Sequence, residues 1–261
     1  GAAVTLVYVD ATKGWIVTDS GLQSDASELI SYIVATSPCV ATVGDYKIHT
    51  FTGPGTFTVC SVGNAGGSNT VDYLVVAGGG GSTQGGGGAG GYRESSGAAS
   101  GCYAASPLGS GVSALPVSVQ GYSIVVGAGG PGALHLPPAN ANLASNGSPS
   151  TFSSITSTGG GKGEASPGGG GTAGQPGGSG GGGSYLSGGS VIYTGNTPPV
   201  SPPQGNPGGY GQQPGGRGAG GGGGATSAGA NASPSVNGPG GNGATSSINN
   251  TPTARAGGGG G

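Results

Sequence analysis

Apolar and polar residues alternate along the first 77 residues in a way that predicts short β-strands. Residues 3–9 and 14–18 each resemble a strand, and β-branched neighbours around Trp15 suit a pleated sheet. The stretch DASELISYIVAT at residues 25–36 favours one helical turn, although its end, SYIVAT, is equally compatible with a strand. We therefore expect this part of the chain to be rich in β-structure.

Two further strand patterns close the first part of the chain. The segment YKIHTFTGPGTFTVCS alternates on both sides of Gly53, Pro54 and Gly55. Glycine and proline favour a chain reversal there, so the pattern predicts a β-hairpin. The stretch TVDYLVVA at residues 70–77 follows, and its continuous apolar character predicts a strand that is buried on both faces.

From Gly78 onward the alternation gives way to runs of glycine, separated by polar, proline-rich or tyrosine-bearing segments. Two strand-like stretches, YSIVVGAG and STFSSITST, interrupt this region, and no fixed repeat length relates the runs. The change predicts two domains: a β-rich base with a hairpin at 1–77, and a glycine-rich region with loops between its runs at 78–261. The runs lie at 78–91, 127–132, 159–163, 168–183, 205–224, 237–243 and 257–261.

Composition determines how such runs can fold. The 261 residues include 69 glycines and 19 prolines, but the net charge is only −2, whereas disordered chains normally combine low hydrophobicity with high net charge. Polyproline II geometry has three residues per turn and no internal hydrogen bonds, so all-glycine helices can approach and bond to each other on every side. We expect a mainly β and irregular fold: a β-rich N-terminal base followed by a polyglycine II helix bundle, or glycine sandwich, with exposed loops.

Several segments together resemble the glycine-rich domain of tailed-phage fibre and appendage proteins. The resemblance is carried by YKIHTFTGPGTFTV, VDYLVVAGGGG and GGGGAGGYR between residues 46 and 93. YSIVVGAGGPG is similar to that family's next strand, and ATSSINNTPTARAGGGGG to its C-terminal glycine segment. The opening GAAVTLVYVDATKGWIV is similar to the β-rich end of tail fibres from marine cyanobacterial phages.

This resemblance implies a protein of the extracellular phage particle, in a tail fibre or another appendage. The implied function is non-covalent adhesion of a fibre tip to a bacterial surface receptor, either a glycan or an outer-membrane protein. Phage fibres are usually homotrimers, so other copies of the chain and other fibre or tail proteins are the expected partners. A purely structural or decoration segment without receptor binding is the alternative.

Receptor contacts are expected on the loops between the glycine runs. Aromatic side chains beside glycine and serine give a rigid contact surface with adaptable polar neighbours. The same aromatic residues could instead cover the glycine runs, and the sequence leaves both alternatives open. The candidate contact residues are Tyr92, Arg93, Tyr103, His135, Tyr185, Tyr193 and Tyr210.

The remaining patterns indicate no catalytic or cofactor chemistry. GAGGPG at 127–132 fits GxGxxG, but ALHLPPANAN follows where a dinucleotide site needs a helix, and the next carboxylate is Glu164. Cys39, Cys60 and Cys102 match no zinc spacing; Cys39 and Cys60 could form a disulfide or be small buried hydrophobic residues. We therefore expect no enzyme, no cofactor and no metal site. The near-zero net charge also gives no basis for binding nucleic acid.

Overall fold

The computed structural model of the protein describes residues 4–10, 12, 14–20, 30–101, 103–133, 144–165, 173–185, 191–212 and 217–261. These residues are mainly β; their helical content is a 3-10 turn at Pro107–Gly109 and the single 3-10 residue Tyr185. Within the same ranges, no helix has the length and apolar character needed to cross a bilayer.

Short strands occur in both parts of the chain. The predicted runs 3–9 and 14–18 correspond to strands β1 (Val4–Asp10) and β2 (Gly14–Ser20), which pair antiparallel. Of the stretch DASELISYIVAT, residues 34–36 are a strand, whereas 25–29 lie outside the described residues. The strands are β1 Val4–Asp10, β2 Gly14–Ser20, β3 Val34–Thr36, β4 Val40–Val43, β5 Tyr46–His49, β6 Gly55–Ser61, β7 Thr70–Val71, β8 Leu74–Val76, β9 Tyr92–Glu94, β10 Leu115–Pro116, β11 Gly121–Val125, β12 Ser150–Phe152, β13 Ile155–Ser157, β14 Ala244–Ser246 and β15 Thr253–Arg255.

A five-stranded antiparallel sheet with the order β13–β12–β11–β6–β3 contains the largest side-chain core. Alternate residues of β6 and β11 point inward, among them Phe57 and Ile124, because successive side chains of a strand face opposite sides. Phe57 and Phe152 pack edge to face with their ring centres 5.8 Å apart. Strands β3 and β6 precede residue 78 and β11–β13 follow it, so this sheet crosses the predicted domain boundary.

The pairing of β5 differs from the predicted hairpin around residues 53–55. Strand β5 pairs with β4 through a turn in which Gly44 has a φ of 55°, a left-handed value that glycine adopts readily. Both edges of β6 are occupied, one by β3 and the other by β11. Because no edge of β6 is left for β5, the two strands meet through side chains, and the His49 ring packs edge to face on Phe57 at 5.0 Å.

The predicted strand at residues 70–77 is divided into β7 and β8 by a charged residue. The Asp72 carboxylate accepts hydrogen bonds from Ser95 Oγ at 2.7 Å, from Ser100 N at 2.8 Å and from Ser100 Oγ at 2.7 Å. A partly buried carboxylate requires such donors. As a result, β7 pairs with β10 and β8 pairs with β9.

Neither alternative for the cysteines is correct. Cys39 and Cys60 are free thiols, and both are exposed. They therefore form no disulfide and do not serve as buried hydrophobic residues. Cys102 lies outside the described residues.

Between the strands, the glycine runs are bonded to each other through backbone hydrogen bonds with a spacing of three residues. Residues 85–91 run antiparallel to residues 158–164. Gly85, Gly88 and Gly91 donate to the carbonyls of Glu164, Gly161 and Thr158 at 3.0, 2.8 and 2.7 Å. The intervening residues bond to other segments, so one run connects several neighbours.

The central run, residues 219–225, is bonded to six other segments. Within the run, residues that are three positions apart bond to the same two neighbouring segments. Three such sets of residues therefore contact six segments. Every amide from Gly220 to Ala225 donates a hydrogen bond, and the N···O distances to the six segments are 2.8–3.1 Å. The six segments are 86–89, 180–183, 206–209, 227–230, 238–241 and 256–259.

Close approach of these backbones explains why the positions are glycine. A Cβ atom on Gly222 would collide with the carbonyl of Gly87, and one on Gly182 would collide with the carbonyl of Gly220. In the last run, by contrast, a Cβ atom on Gly260 would meet nothing within 4 Å. Glycine is therefore required sterically in the centre of this region but not at every position of its surface.

Candidate functional site

The hydrogen-bond registers place the glycine runs between two ends. At one end the runs adjoin β8, β9, β11 and β13–β15, and we call this the sheet end. We call the opposite end the far end. Backbone hydrogen bonds of 2.9–3.0 Å connect neighbouring runs there, and their amide donors and carbonyl acceptors are, in order, Gly85 to Glu164, Glu164 to Gly182, Gly183 to Gly209, and Gln212 to Gly218.

Three of the predicted contact residues lie together at the far end. The side chains of Tyr185 and Tyr210 are partly exposed. Tyr185 directly follows Ser184, and the amide of Tyr210 donates to Asn231 Oδ1 at 3.1 Å. Tyr193 is buried, and its carbonyl accepts from the amide of Gly208 at 3.1 Å. Burial, with a further contribution from the nearby Glu164, raises the pKa of Tyr193 to about 12.

The other predicted contact residues are elsewhere. Tyr92 lies at the sheet end with 1% of its surface exposed, and its hydroxyl donates to Glu94 Oε2 at 2.9 Å. Its side chain packs with Ala225 and Ala244 and is not at the surface. For Tyr92 this agrees with the alternative in which the aromatic residues cover the glycine runs. Arg93, the next residue of β9, is partly exposed. His135 lies outside the described residues.

Tyr103 is also near the sheet end, where it helps to hold a loop. Its hydroxyl donates to the carbonyl of Ser95 at 3.2 Å, and burial raises its pKa to about 12. Its ring is partly exposed and lines a cavity. Sequence reasoning placed Tyr103 on a loop but gave no sign of this cavity.

Exposed aliphatic residues at the far end were missed by a search for aromatic residues. Ile192 is 54% exposed and Val191 41% exposed, and both directly precede Tyr193. Val236, in the turn that follows Ala232, is 60% exposed. The amide of Ala232 donates to the carbonyl of Tyr210, which places this turn at the far end. In the sequence, the two adjacent apolar residues of the segment SVIYTG, Val191 and Ile192, could have indicated an apolar contact surface. The far end thus presents exposed apolar side chains beside two partly exposed tyrosines.

A cavity of about 600 Å³ lies near the sheet end. It is lined by the β4–β5 hairpin, by the inner strands of the five-stranded sheet, and by the turn at 247–250 between β14 and β15, and it is open to solvent on one side. Its walls include the rings of Tyr46, Phe51 and Tyr103, together with the cationic side chains of Lys47 and Arg255. A concave site of this size, with a few polar groups, is typical of small-ligand binding.

This geometry defines the class of the protein: it is mainly β and contains glycine runs that are bonded to each other through their backbones. The chain matches the glycine-rich domain family over residues 51–261 and therefore belongs to that family. No match was found among curated proteins or among solved structures. The family match begins just before β6 and includes the whole far end, whereas the β4–β5 hairpin precedes it.

Proposed function

We propose that this chain is a fibre or appendage protein of a tailed-phage virion, in which a polyglycine II bundle carries a receptor-binding tip. The central run supports the bundle most directly. Polyproline II geometry repeats every three residues, and residues 219–225 bond to a given neighbour at every third residue. Six bonded neighbours around one run are what parallel and antiparallel packing of such helices produces.

Backbone conformation supports the same geometry. The described glycines with positive φ are Gly14, Gly44, Gly97, Gly101 and Gly111, none of which belongs to a glycine run. The described residues of the runs therefore avoid the left-handed turn region. Polyproline II has a φ of about −75°, which is compatible with this restriction.

The adhesive surface in this proposal is the far end. A bundle connected by many backbone hydrogen bonds forms a rigid support, and binding residues on loops are effective when a rigid scaffold positions them. Ile192 and Val236 supply apolar contact area there, and Tyr185 and Tyr210 supply aromatic rings with a hydroxyl group. The receptor is a glycan or an outer-membrane protein on a bacterial surface, bound without covalent chemistry.

Assembly as a homotrimer with other fibre proteins would strengthen this adhesion. Three linked tips bind more strongly than one because the second and third contacts form at high effective concentration. The sheet end, where strands β3–β6 lie, would face the rest of the fibre.

Binding of the labelled full-length protein to a panel of bacterial strains tests the adhesion. We expect saturable binding to at least one strain, and we expect Ile192→Ser combined with Val236→Ser to weaken it. Val119→Ser is the matched control, because Val119 is 61% exposed but lies next to the sheet core. Binding that the control abolishes and the far-end variant leaves intact would contradict the proposed location.

The second candidate is a structural or decoration segment of the fibre without receptor binding. The exposed apolar residues of the N-terminal part favour it, since Trp15 is 68% exposed, Tyr32 67% and Ile30 57%. The rings of Trp15 and the exposed Tyr8 are 5.4 Å apart, and an exposed apolar patch commonly packs against another protein. Folded protein that binds no strain while forming a stable homo-oligomer would support this candidate over adhesion.

A further inference from the structure

The cavity near the sheet end is separate from the far-end surface, and the proposed adhesion does not use it. We propose that this cavity binds an acidic saccharide, with Lys47 and Arg255 contacting its carboxylate and with aromatic rings contacting its sugar faces. The proposal goes beyond the adhesion at the far end and does not depend on it.

The charges that line the cavity favour an anion. Lys47 and Arg255 are cationic, and among the described residues that line the cavity Asp72 is the only carboxylate. Both oxygens of Asp72 are already occupied by Ser95 and Ser100. In the part of the chain that the structure describes, neither cation is paired with a carboxylate, so a bound carboxylate would supply the missing partner.

Arg255 is oriented for such a contact. Its Nη1 donates to the carbonyl of Thr253 at 3.3 Å. Its Nη2 donates to the side-chain oxygen of Asn249 at 3.3 Å when the Asn249 amide takes the orientation that satisfies both its oxygen and its nitrogen. The guanidinium group has five N–H donors in a fixed plane, so these two bonds leave donors for a ligand. A planar guanidinium that is already held in place suits a two-point contact with a carboxylate.

The remaining walls fit a sugar ring better than a wholly apolar ligand. Tyr46, Phe51 and Tyr103 have partly exposed rings, which can contact the C–H faces of a saccharide. Thr70, Thr151 and Asn250 add groups that can bond to hydroxyls. The volume of about 600 Å³ is within the usual range for small-ligand sites, which runs from about 300 to 1,000 Å³.

The walls are also held in place before a ligand binds. Two hydrogen bonds from Ser100 to the Asp72 carboxylate connect the residues between β7 and β8 to the loop around Ser100, and the Tyr103 hydroxyl donates to the carbonyl of Ser95. On the opposite wall, His49 Nδ1 is 2.8 Å from Ser37 Oγ. A site whose side chains are fixed in advance loses less entropy when the ligand binds.

Calorimetric titration of the full-length protein with a uronic-acid trisaccharide and with sialyllactose tests the proposal. We expect saturable binding of at least one of them, and affinity about ten-fold or more lower for a neutral trisaccharide, because hydrogen bonds to charged groups are the stronger ones. Lys47→Gln and Arg255→Gln should each weaken binding of the acidic saccharide about ten-fold. Arg217→Gln, which removes an exposed cation at the far end, should leave binding unchanged.

Three results would overturn the proposal. The first is the absence of binding by either acidic saccharide when the thermal midpoint shows that the protein is folded. The second is equal affinity for the neutral trisaccharide, or affinity that Arg255→Gln leaves unchanged. The third is equally tight binding of a glutamate tetrapeptide, which would assign the cavity to acidic peptides instead.

Discussion

The protein has two interiors that are stabilised in different ways. On one face of the five-stranded sheet, side chains such as Phe57, Ile124 and Phe152 pack against each other. Around the central run, residues 219–225, the contacts are made by backbone amides and carbonyls. The sheet core depends on the shapes of its side chains, whereas the glycine region depends on the absence of side chains.

This difference changes how each interior responds to a substitution. Side-chain cores tolerate changes of similar volume because neighbours can adjust their rotamers. The glycine region has few side chains to adjust, so an added atom displaces a backbone and several hydrogen bonds with it. Ordering glycine costs about 0.5–1 kcal/mol more than ordering alanine, and a typical hydrogen bond contributes about 0.5–1.5 kcal/mol. The region therefore depends on nearly all of its bonds forming together.

The largest expected effect is that of one methyl group added in the centre. Gly222→Ala places a Cβ atom against the carbonyl of Gly87, and Gly222 bonds to both Gly259 and Gly241. We expect a loss of about 3 kcal/mol or more in the free energy of unfolding, at the upper end for overpacked sites. Chemical denaturation followed by circular dichroism measures it. Gly260→Ala is the matched control, since its Cβ has no neighbour within 4 Å and should change stability by less than about 0.5 kcal/mol.

A second effect concerns a side chain that connects the two interiors. Gln204 is fully buried; its Oε1 accepts from Thr158 N at 2.8 Å and its Nε2 donates to the carbonyl of Pro198 at 3.1 Å. Gln204→Leu should lower the free energy of unfolding by about 2 kcal/mol, because it leaves buried polar groups without partners. Gln120→Leu, at an exposed glutamine, is the control. Equal stability of the two variants in urea would show that Gln204 does not stabilise this junction.

Removing one methyl group from the sheet core should have a smaller effect than adding one to the glycine region. Ile124 is buried beside Phe152 and Phe57. Ile124→Val should lower the free energy of unfolding by about 1 kcal/mol, which is usual for this change. The same denaturation assay measures it. A loss as large as that of Gly222→Ala would remove the contrast between the two interiors.

The smallest expected effect is a dependence on pH through His49. Burial, and then the charge of Lys47, lower the pKa of His49 below its usual value of 6.5. The folded state therefore favours the neutral ring, and the resulting stability is present above pH 6.5 and is lost as the pH falls through the lowered pKa. Thermal midpoints between pH 7 and pH 5 should decline less in His49→Gln than in the unaltered protein. An unchanged slope would show that other groups cause the decline.

Much of the strand content could be predicted from the sequence, but strand partners could not. Alternation located β1, β2 and β11 because it follows directly from the pleat of a strand. The prediction of a hairpin around residues 53–55 was wrong because turn residues do not reveal that β3 and β11 occupy the edges of β6. Likewise, the pattern of residues 70–77 did not show that Asp72 has three donors in a distant loop.

The candidate site was predictable only in part for a similar reason. The tyrosines of the far end lie between glycine runs, and that placement was visible in the sequence. Whether a given tyrosine is exposed depends on which runs are neighbours, and glycine has no side chain that would encode the choice. Tyr92 therefore could not be distinguished from Tyr210 by composition, although the first is buried and the second is partly exposed.

Residue-resolved amide hydrogen exchange tests the central claim most directly, because it measures backbone hydrogen bonds one at a time. The amides from Gly220 to Ala225 should be protected as strongly as that of Val59 in the sheet. In the last run, Gly258, Gly259 and Gly261 should be protected, whereas Gly257 and Gly260, whose amides have no partner among the described residues, should exchange rapidly. Exchange of all these glycines at the rate of an unstructured peptide would contradict a backbone-bonded interior.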